Sequence, residues 1–438
     1  MPLDSLQFVK WFRAASPYIH VHRGKTFVIQ FDDDAIQCGT FSNLVHDLAL
    51  LNSLSIQLVL VFGTRRTIEK QLAENKLKSR YHKGLRVTDA AAMEIVKAAA
   101  GRLRIDIESS LSLGLGNTPM SHAELRVTSG NFVMAKPLGV IDGVDYRFTG
   151  EVRHIDVDSI RMKLVTNEIV LIAPLGYSLT GEAFNLNATT LAARLATELQ
   201  ADKLIYLMEA EGLTDAGGQL IHQLTQPGAE ALLAGTSEKM PAYRYIKSAV
   251  QAGKAGVERV HLLDRRLDGA ILQELFTRDG TGTMISMASY DVIREAGIDD
   301  IAGILELIEP LEKQGVLVER SRERLELEIN HFTVLERDGV IIGCAALYLF
   351  KREKAAELAC LVVHPDYHNG GRGNQLLGAM EEKSKRAKVK QLYVLTTHAE
   401  HWFLERGFNR TTLGSLPVKR KIFYNYQRKS KVLVKKIG

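Results

Sequence analysis

The chain has 438 residues, 46% of them hydrophobic and 24% charged, with a formal net charge of +5. That length exceeds one ordinary core, so two or three domains are expected, and the composition is that of a soluble globular protein with no apolar run long enough to cross a bilayer. Three dispersed cysteines, Cys38, Cys344 and Cys360, argue against a disulfide framework or a cysteine-built zinc site, so a reducing cytoplasm and no bound metal are expected; the weak, diffuse positive charge suits anionic ligands without indicating nucleic acid. The opening MPLDSLQFVKWFRAASPY carries no long apolar stretch of the signal-peptide kind.

Residues 5–16 place Phe8, Trp11, Phe12 and Ala15 on one helical face. This helix precedes the first strand, so it either caps its own domain or forms an oligomer contact or part of an effector site. Strands are expected at Thr26–Phe31, Gln57–Phe62, Lys203–Met208 and Arg259–Leu263, with helices at Asn43–Leu51 and Thr189–Leu199. Such alternation predicts an α/β sandwich with a mainly parallel sheet, and shorter alternating strands between about Ala123 and Tyr177 suggest a hairpin insertion. The stretch 20–285 resembles the amino-acid kinase fold. Where those kinases carry Lys-x-Gly-Gly for the transferred phosphate, this chain has Gln30 and Asp32-Asp33. Carboxylates are electrostatically wrong beside a polyphosphate, so kinase chemistry is expected to be lost.

Ala270–Ile285, AILQELFTRDGTGTMI, resembles the segment with which arginine-regulated members bind L-arginine. The resemblance implies Glu274 facing the guanidinium, backbone near Gly280 and Gly282, and Tyr18 completing the pocket; the plain alternative is a helix closed by glycine.

A join is expected at 286–294, giving segments 1–19, 20–285 and 295–438. Beyond it, helices are expected at Ile298–Leu311, Glu319–Glu328 and His398–Arg406. Strands are expected at His331–Glu336, Val340–Phe350, Leu358–Val363, Gln391–Thr396 and Lys421–Val434, with a hairpin turn at Arg337-Asp338-Gly339. After Val363, His364-Pro365 ends the strand, and the turn His368-Asn369-Gly370-Gly371-Arg372-Gly373-Asn374 opens a helix carrying Leu376, Leu377 and Met380. Strand, glycine turn and helix N-terminus together make an anion cradle. It is neither Walker A nor GxGxxG, since Asn374 follows Gly373. It resembles the Arg/Gln-x-x-Gly-x-Gly/Ala motif of GNAT acyltransferases, with His368 in the first place and Gly371 and Gly373 matching. That family binds acetyl-CoA in a mixed, splayed sheet, which implies Leu361, Val362 and Val363 along the pantetheine.

Acetyl transfer requires a neutral amine and a stabilised oxyanion. Glu357 is the candidate base, or else a surface carboxylate near Lys354. The tyrosine acid common in that family is replaced by Phe403, leaving Thr396 or Thr397 as the nearest proton donor. Basic groups at Glu319–Arg322 and Tyr424–Lys431 would suit a dicarboxylate; read as a strand, the latter puts Tyr424, Tyr426 and Arg428 on one face, too short a patch for nucleic acid.

A degenerate kinase-like domain followed by a GNAT domain resembles the bacterial N-acetylglutamate synthase family over essentially the whole chain. Its local marks are His22–Phe27, Pro137–Val140, Asp142–Tyr146, Gly181–Leu186 and Tyr424–Ser430. The resemblance implies transfer of acetyl from acetyl-CoA to L-glutamate, with Arg320, Arg428 and Ser430 on the glutamate carboxylates. It also implies feedback inhibition by L-arginine and a homo-oligomer, commonly hexameric. Two other classes, an amino-acid kinase and a non-catalytic arginine sensor, would need respectively an intact phosphate site at 30–33 and a damaged cradle; the chain shows the reverse of both.

Overall fold

Thr26–Phe31, Gln57–Phe62 and Lys203–Met208 are strands over the residues expected of them. Their side chains alternate between two separate cores. Val28, Val59, Val61 and Tyr206 enter one, and Phe27, Ile29, Phe31, Leu60 and Ile205 the other. A sheet covered on both faces explains why these strands read as unbroken apolar runs. The computed structural model describes residues 5–37, 39, 41–112, 125–215, 217–238, 240–277, 280–287, 291–337, 339–422, 424–426 and 428–437. Cys38, Ala123, Asp338 and Gln427 thus lie outside the described residues, as do the side chains of Asn369 and Gly370.

Contacts divide the chain into two units, Met1–Ala288 and Ser289–Gly438. The first holds an eight-stranded sheet in the order Gln223–Thr225, Thr283–Ser286, Arg259–Asp264, Lys203–Met208, Thr26–Phe31, Gln57–Phe62, Ile169–Ile172 and Val127–Thr128. Every neighbouring pair is parallel except Arg259–Asp264 with Thr283–Ser286. Within the expected 123–177 insertion, Val127–Thr128 and Ile169–Ile172 join the main sheet, while Val133–Pro137, Gly150–Ile155 and Leu175–Tyr177 form, with Ala183–Asn185 beyond it, a separate four-stranded sheet.

The N-terminal helix runs over Ser5–His22, through Pro17. Proline normally ends a helix interior. Here the last turn is held by tertiary contacts: Ala15 is buried, Tyr18 and Ile19 pack on the core, and His22 Nε2 donates to the Leu275 carbonyl (2.9 Å).

The second unit carries a seven-stranded sheet in the order Val292–Glu295, Phe332–Arg337, Val340–Phe350, Ala355–Val363, Gln391–Thr396, Lys431–Lys436 and Asn409–Thr411. Helix Ile301–Lys313 packs on one face with Phe332, Val334 and Cys344; helix Arg372–Arg386 covers the other with Leu347, Ala356 and Leu358. The edge strand Val292–Glu295 shortens the join expected at 286–294, because Arg294 is clamped by Asp300 and Glu336 and its strand pairs with Phe332–Arg337.

The last strand is a correction. None of the described residues between 421 and 430 is in a strand; helix Val418–Ile422 follows Pro417, and the strand begins only at Lys431. Tyr424 Oη donates to the Ser430 carbonyl (2.8 Å), Asn425 Oδ1 accepts from Arg428 N (3.3 Å), and Lys429 takes φ +48°, so the stretch turns back on itself. Alternation of Tyr424, Tyr426 and Arg428 on one strand face therefore does not occur. Likewise the expected 319–328 helix starts at Arg322, because Ser321 caps it (Arg324 N to Ser321 Oγ, 3.3 Å), leaving Arg320 in the preceding loop. The expected 398–406 helix is shorter, Glu400–Leu404.

Candidate active site and effector region

The parallel pair at the middle of the second sheet separates. Ala355–Leu358 pair with Gln391–Val394, but Ala355–Val363 runs on for five residues beyond that register. Cys360, at φ +51°, forms a bulge against Val340–Phe350, which redirects Leu361–Val363. A wedge therefore opens between Leu361–Val363 and Leu395–Thr396. A strand edge of this kind can hydrogen-bond an extended amide chain lying in the wedge.

The cradle lies at the wide end of that wedge. The 3-10 turn Pro365–Gly370 leads to Gly371, at φ +68°, which caps helix Arg372–Arg386. Its carbonyl accepts from Asn374 N (3.0 Å) and Gln375 N (3.1 Å). A side chain at 371 would be strained in this left-handed conformation. Gly373 serves close approach instead: a Cβ there would stand 3.1 Å from the Trp402 ring. His368 keeps out of the cradle, its Nε2 donating to the Val363 carbonyl at 2.9 Å. Arg372 also turns away, its Nε bonding Asp291 at 2.9 Å. The positive character of the cradle thus comes from backbone N–H groups and the helix dipole. Asn374 Oδ1 accepts from Arg406, whose guanidinium lies 3.9 Å over the Trp402 ring.

Glu357 is not a surface carboxylate. It is 6% exposed, and its Oε2 accepts from Arg420 Nε on helix Val418–Ile422. Sequence reasoning missed Arg420, which lies just before the strand expected at Lys421–Val434 and in the helix Val418–Ile422 that was not foreseen. Thr396 Oγ1 accepts from Ala399 N (2.9 Å), and Thr397 shares a hydrogen bond with His398.

Arg320 and Arg428, far apart in sequence, meet on one short segment. Arg428 Nη2 donates to the carbonyls of Val316 (2.8 Å) and Gly315 (3.2 Å), while Arg320 Nη1 donates to that of Val318 (2.9 Å). Arg320 Nε is buried with no hydrogen-bond partner among the described residues. A buried guanidinium with an unmet donor is primed for an anionic ligand. Tyr348, missed in the sequence, faces it: the Tyr348 hydroxyl donates to Glu328 (2.6 Å), and burial together with that carboxylate pushes its pKa well above the ordinary value. The carbonyl of Ser430 holds the C-terminal turn closed against Tyr424.

In the first unit, Gln30 and Asp32-Asp33 stand where a kinase would hold phosphate. Asp32 is paired with Arg244 (2.7 Å) and accepts from Gln30 Nε2 (2.9 Å). Asp33 is buried and accepts from Thr67 N (2.5 Å) and Arg66 N (3.3 Å), so it caps helix Arg65–Glu74, a task its N-cap Thr64 does not perform. Both carboxylates have structural work where a phosphate would need cations.

Tyr18 is half-buried beside helix Ala270–Phe276. Glu274, on that helix, is 5% exposed at its side chain and accepts from His261 Nδ1 (2.7 Å), Thr281 N (2.8 Å) and Gly282 N (3.2 Å). Burial raises its carboxyl pKa, but the bonds from His261, Thr281 and Gly282 prevail and hold it at about 2. Gly280, at φ +63°, lies so close that a Cβ would fall 2.3 Å from Glu274 Oε2, and one at Gly282 would meet the Leu262 carbonyl. His22 and His261 were not foreseen: burial and the Lys203 charge drive His22 down to about 4, and burial keeps His261 neutral. Histidines inside apolar strands and helices, as in RVHLLD, were the available signal. A guanidinium reaches Glu274 only if the 280–282 turn yields.

Among the described residues no helix is long and apolar enough to cross a membrane, and no cluster of His, Cys, Asp or Glu could hold a metal ion. The amino acid kinase family matches residues 25–264, and a GNAT acetyltransferase domain matches 328–410. The chain is 48% identical over 438 residues to an amino-acid acetyltransferase of Photobacterium profundum, covering 99% of both chains. It is 48% identical to the one of Escherichia coli K12, covering 99% of this chain and 98% of that one. Among solved structures it matches N-acetylglutamate synthase from Neisseria gonorrhoeae complexed with coenzyme A and L-arginine, at 38% identity and TM-score 0.90 over 99% and 100% of the two chains. The same enzyme with coenzyme A and N-acetyl-glutamate matches at 39% identity and TM-score 0.64, with the same coverage. With a kinase-like unit lacking its phosphate site and a GNAT unit retaining its cradle, the chain belongs to the amino-acid acetyltransferase family.

Proposed function

We propose that the protein moves the acetyl group of acetyl-CoA to the α-amine of L-glutamate and is inhibited by L-arginine bound in its kinase-like unit. The observation that carries the acceptor is the meeting of Arg320 and Arg428 on the 315–318 segment, two guanidiniums suited to two carboxylates. Leu361, Val362 and Val363 hold the pantetheine, and their backbone N–H groups polarise the thioester carbonyl. The turn from His368 to Asn374, including Asn369, Gly370, Gly371, Arg372 and Gly373, holds the diphosphate. Glu357 takes a proton from the ammonium, directly or through water; the amine attacks the carbonyl carbon; the tetrahedral oxyanion collapses with cleavage of the C–S bond, the CoA thiolate takes a proton from Thr396, and the second proton lost by the attacking nitrogen restores the Thr396 hydroxyl. Ser430, with Arg320 and Arg428, fixes the acceptor. Tyr18, Glu274, Gly280 and Gly282 form the arginine site.

The test is initial-rate CoA release with and without L-glutamate, with L-arginine titrated in. Glutamate-dependent release suppressed by arginine is expected. Release indifferent to glutamate, with acetyl-CoA still bound, would sink the acceptor assignment, and indifference to arginine would sink the effector site alone.

The N-terminal helix supports a homo-oligomer built through this unit, hexameric by family resemblance and working in the cytoplasm. Leu6, Phe8, Trp11 and Phe12 are 50–69% exposed, with Phe8 and Phe12 stacked at 6.1 Å. A contiguous apolar helix face in water marks a contact surface. Trp11→Ser is expected to lower the mass measured by light scattering; an unchanged mass would remove this helix from the interface.

A further inference from the structure

A buried carboxylate ties the cradle to the start of the second unit. Asp291 lies near the start of the second unit, Ser289–Gly438. Its Oδ1 accepts from Arg337 Nε (2.7 Å) and its Oδ2 from Arg372 Nε (2.9 Å), and all three side chains are only 11–13% exposed. Arg337 is the last residue of strand Phe332–Arg337, and Arg372 the first of helix Arg372–Arg386. Both guanidiniums stand over the ring of Tyr367, at 5.6 and 5.5 Å, and Arg372 Nη1 donates to the Tyr367 carbonyl at 3.2 Å. Tyr367 lies in the turn Pro365–Gly370. One anion, two forks and one aromatic ring therefore clamp both ends of the glycine turn to the sheet edge.

We propose that Asp291 is a positioning residue for CoA: it touches no ligand, but it sets the turn whose backbone holds the diphosphate. This inference rests on the reading of that turn as the CoA cradle. Glycines make the turn easy to bend, and an unfixed turn must be ordered when the ligand binds, at a cost in affinity. The Asp291 clamp removes that cost in advance. It also holds the Arg372 charge off the ligand, so specificity rests on the shape of the backbone rather than on a mobile cation.

Asp291→Asn keeps shape and removes the charge. CoA binding to the full-length variant, measured by titration calorimetry without turnover, is expected to weaken about tenfold, with KM for acetyl-CoA rising in parallel. The value of kcat and KM for glutamate are expected to stay within about twofold. In a double-mutant cycle with Arg372→Lys, the effects on CoA affinity are expected to be non-additive. A Kd within about twofold of wild type, or equal losses in kcat and in both KM values, would overturn the positioning role. Tighter CoA binding would also overturn it, since Asp291 would then be competing with phosphate for Arg372. Should D291N be insoluble, Arg337→Lys, which keeps the charge but loses the fork, decides by the same criteria. Failure of wild-type protein to bind CoA would instead refute the cradle itself.

Discussion

Glutamine at position 357 is expected to lower kcat about 10²–10⁴-fold, the range typical of removing a general base, and to leave KM for acetyl-CoA nearly unchanged. Glu357 is buried to 6% exposure, yet it is paired with Arg420, so two roles compete. A carboxylate serving only the ion pair would contribute stability, and its loss would leave the Arg420 charge uncompensated. A base would control the pH–rate profile. The amide of Glu357→Gln can still accept from Arg420, so the melting temperature is expected to fall much less than in Glu357→Ala. A kcat within about threefold of wild type would remove Glu357 from proton transfer. Equal losses of activity and stability in Glu357→Gln and in Arg420→Met would reduce it to a structural pair.

Glutamine at position 274 is expected to weaken arginine inhibition by more than about tenfold while leaving turnover without arginine unchanged. Glu274 lies in the first unit and Arg320, Arg428 and Glu357 in the second, so loss of one response without the other is the informative result. The substitution also has a stability signature. The folded carboxyl pKa of about 2 lies below the unfolded value of 4.5. Its stabilisation is therefore present above about pH 4.5 and lost as pH falls toward 2; the difference corresponds to about 3 kcal/mol at neutral pH. Glu274→Ala, which also leaves Thr281 N, Gly282 N and His261 without an acceptor, should show that loss in denaturant unfolding at pH 7 and much less of it near pH 2. Full arginine sensitivity in a folded Glu274→Gln protein would move the effector site elsewhere.

Where local pattern and tertiary demand agree, the chain could be read directly. Thr26–Phe31, Gln57–Phe62, Lys203–Met208 and Gln391–Thr396 are central strands, and no polar alternative competes along them. The glycine turn before helix Arg372–Arg386 was legible for a related reason. Left-handed backbone at Gly371 and close ring contact at Gly373 leave few residue types acceptable. The misreadings fall where a local pattern was short. Tyr424, Tyr426 and Arg428 alternate like a strand, but Pro417 starts a helix upstream and Asn425 closes a turn within. The N-terminal helix, read over residues 5–16, runs on through Pro17 to His22, because the packing of Tyr18, Ile19 and His22 holds its last turn.

By itself the order of residues determined two α/β units, the carboxylates at 32–33 in place of glycines, and the glycine turn before helix Arg372–Arg386, because each depends on neighbours in sequence and on residue types with narrow backbone or charge requirements. Only the tertiary structure decided the partners. Arg420 reaches Glu357 across 63 positions, Arg428 reaches Val316 across 112, and Asp291 reaches Arg372 across 81. A guanidinium fork has a long reach and pairs with whichever carboxylate or carbonyl the fold brings near, so no local pattern announces its choice.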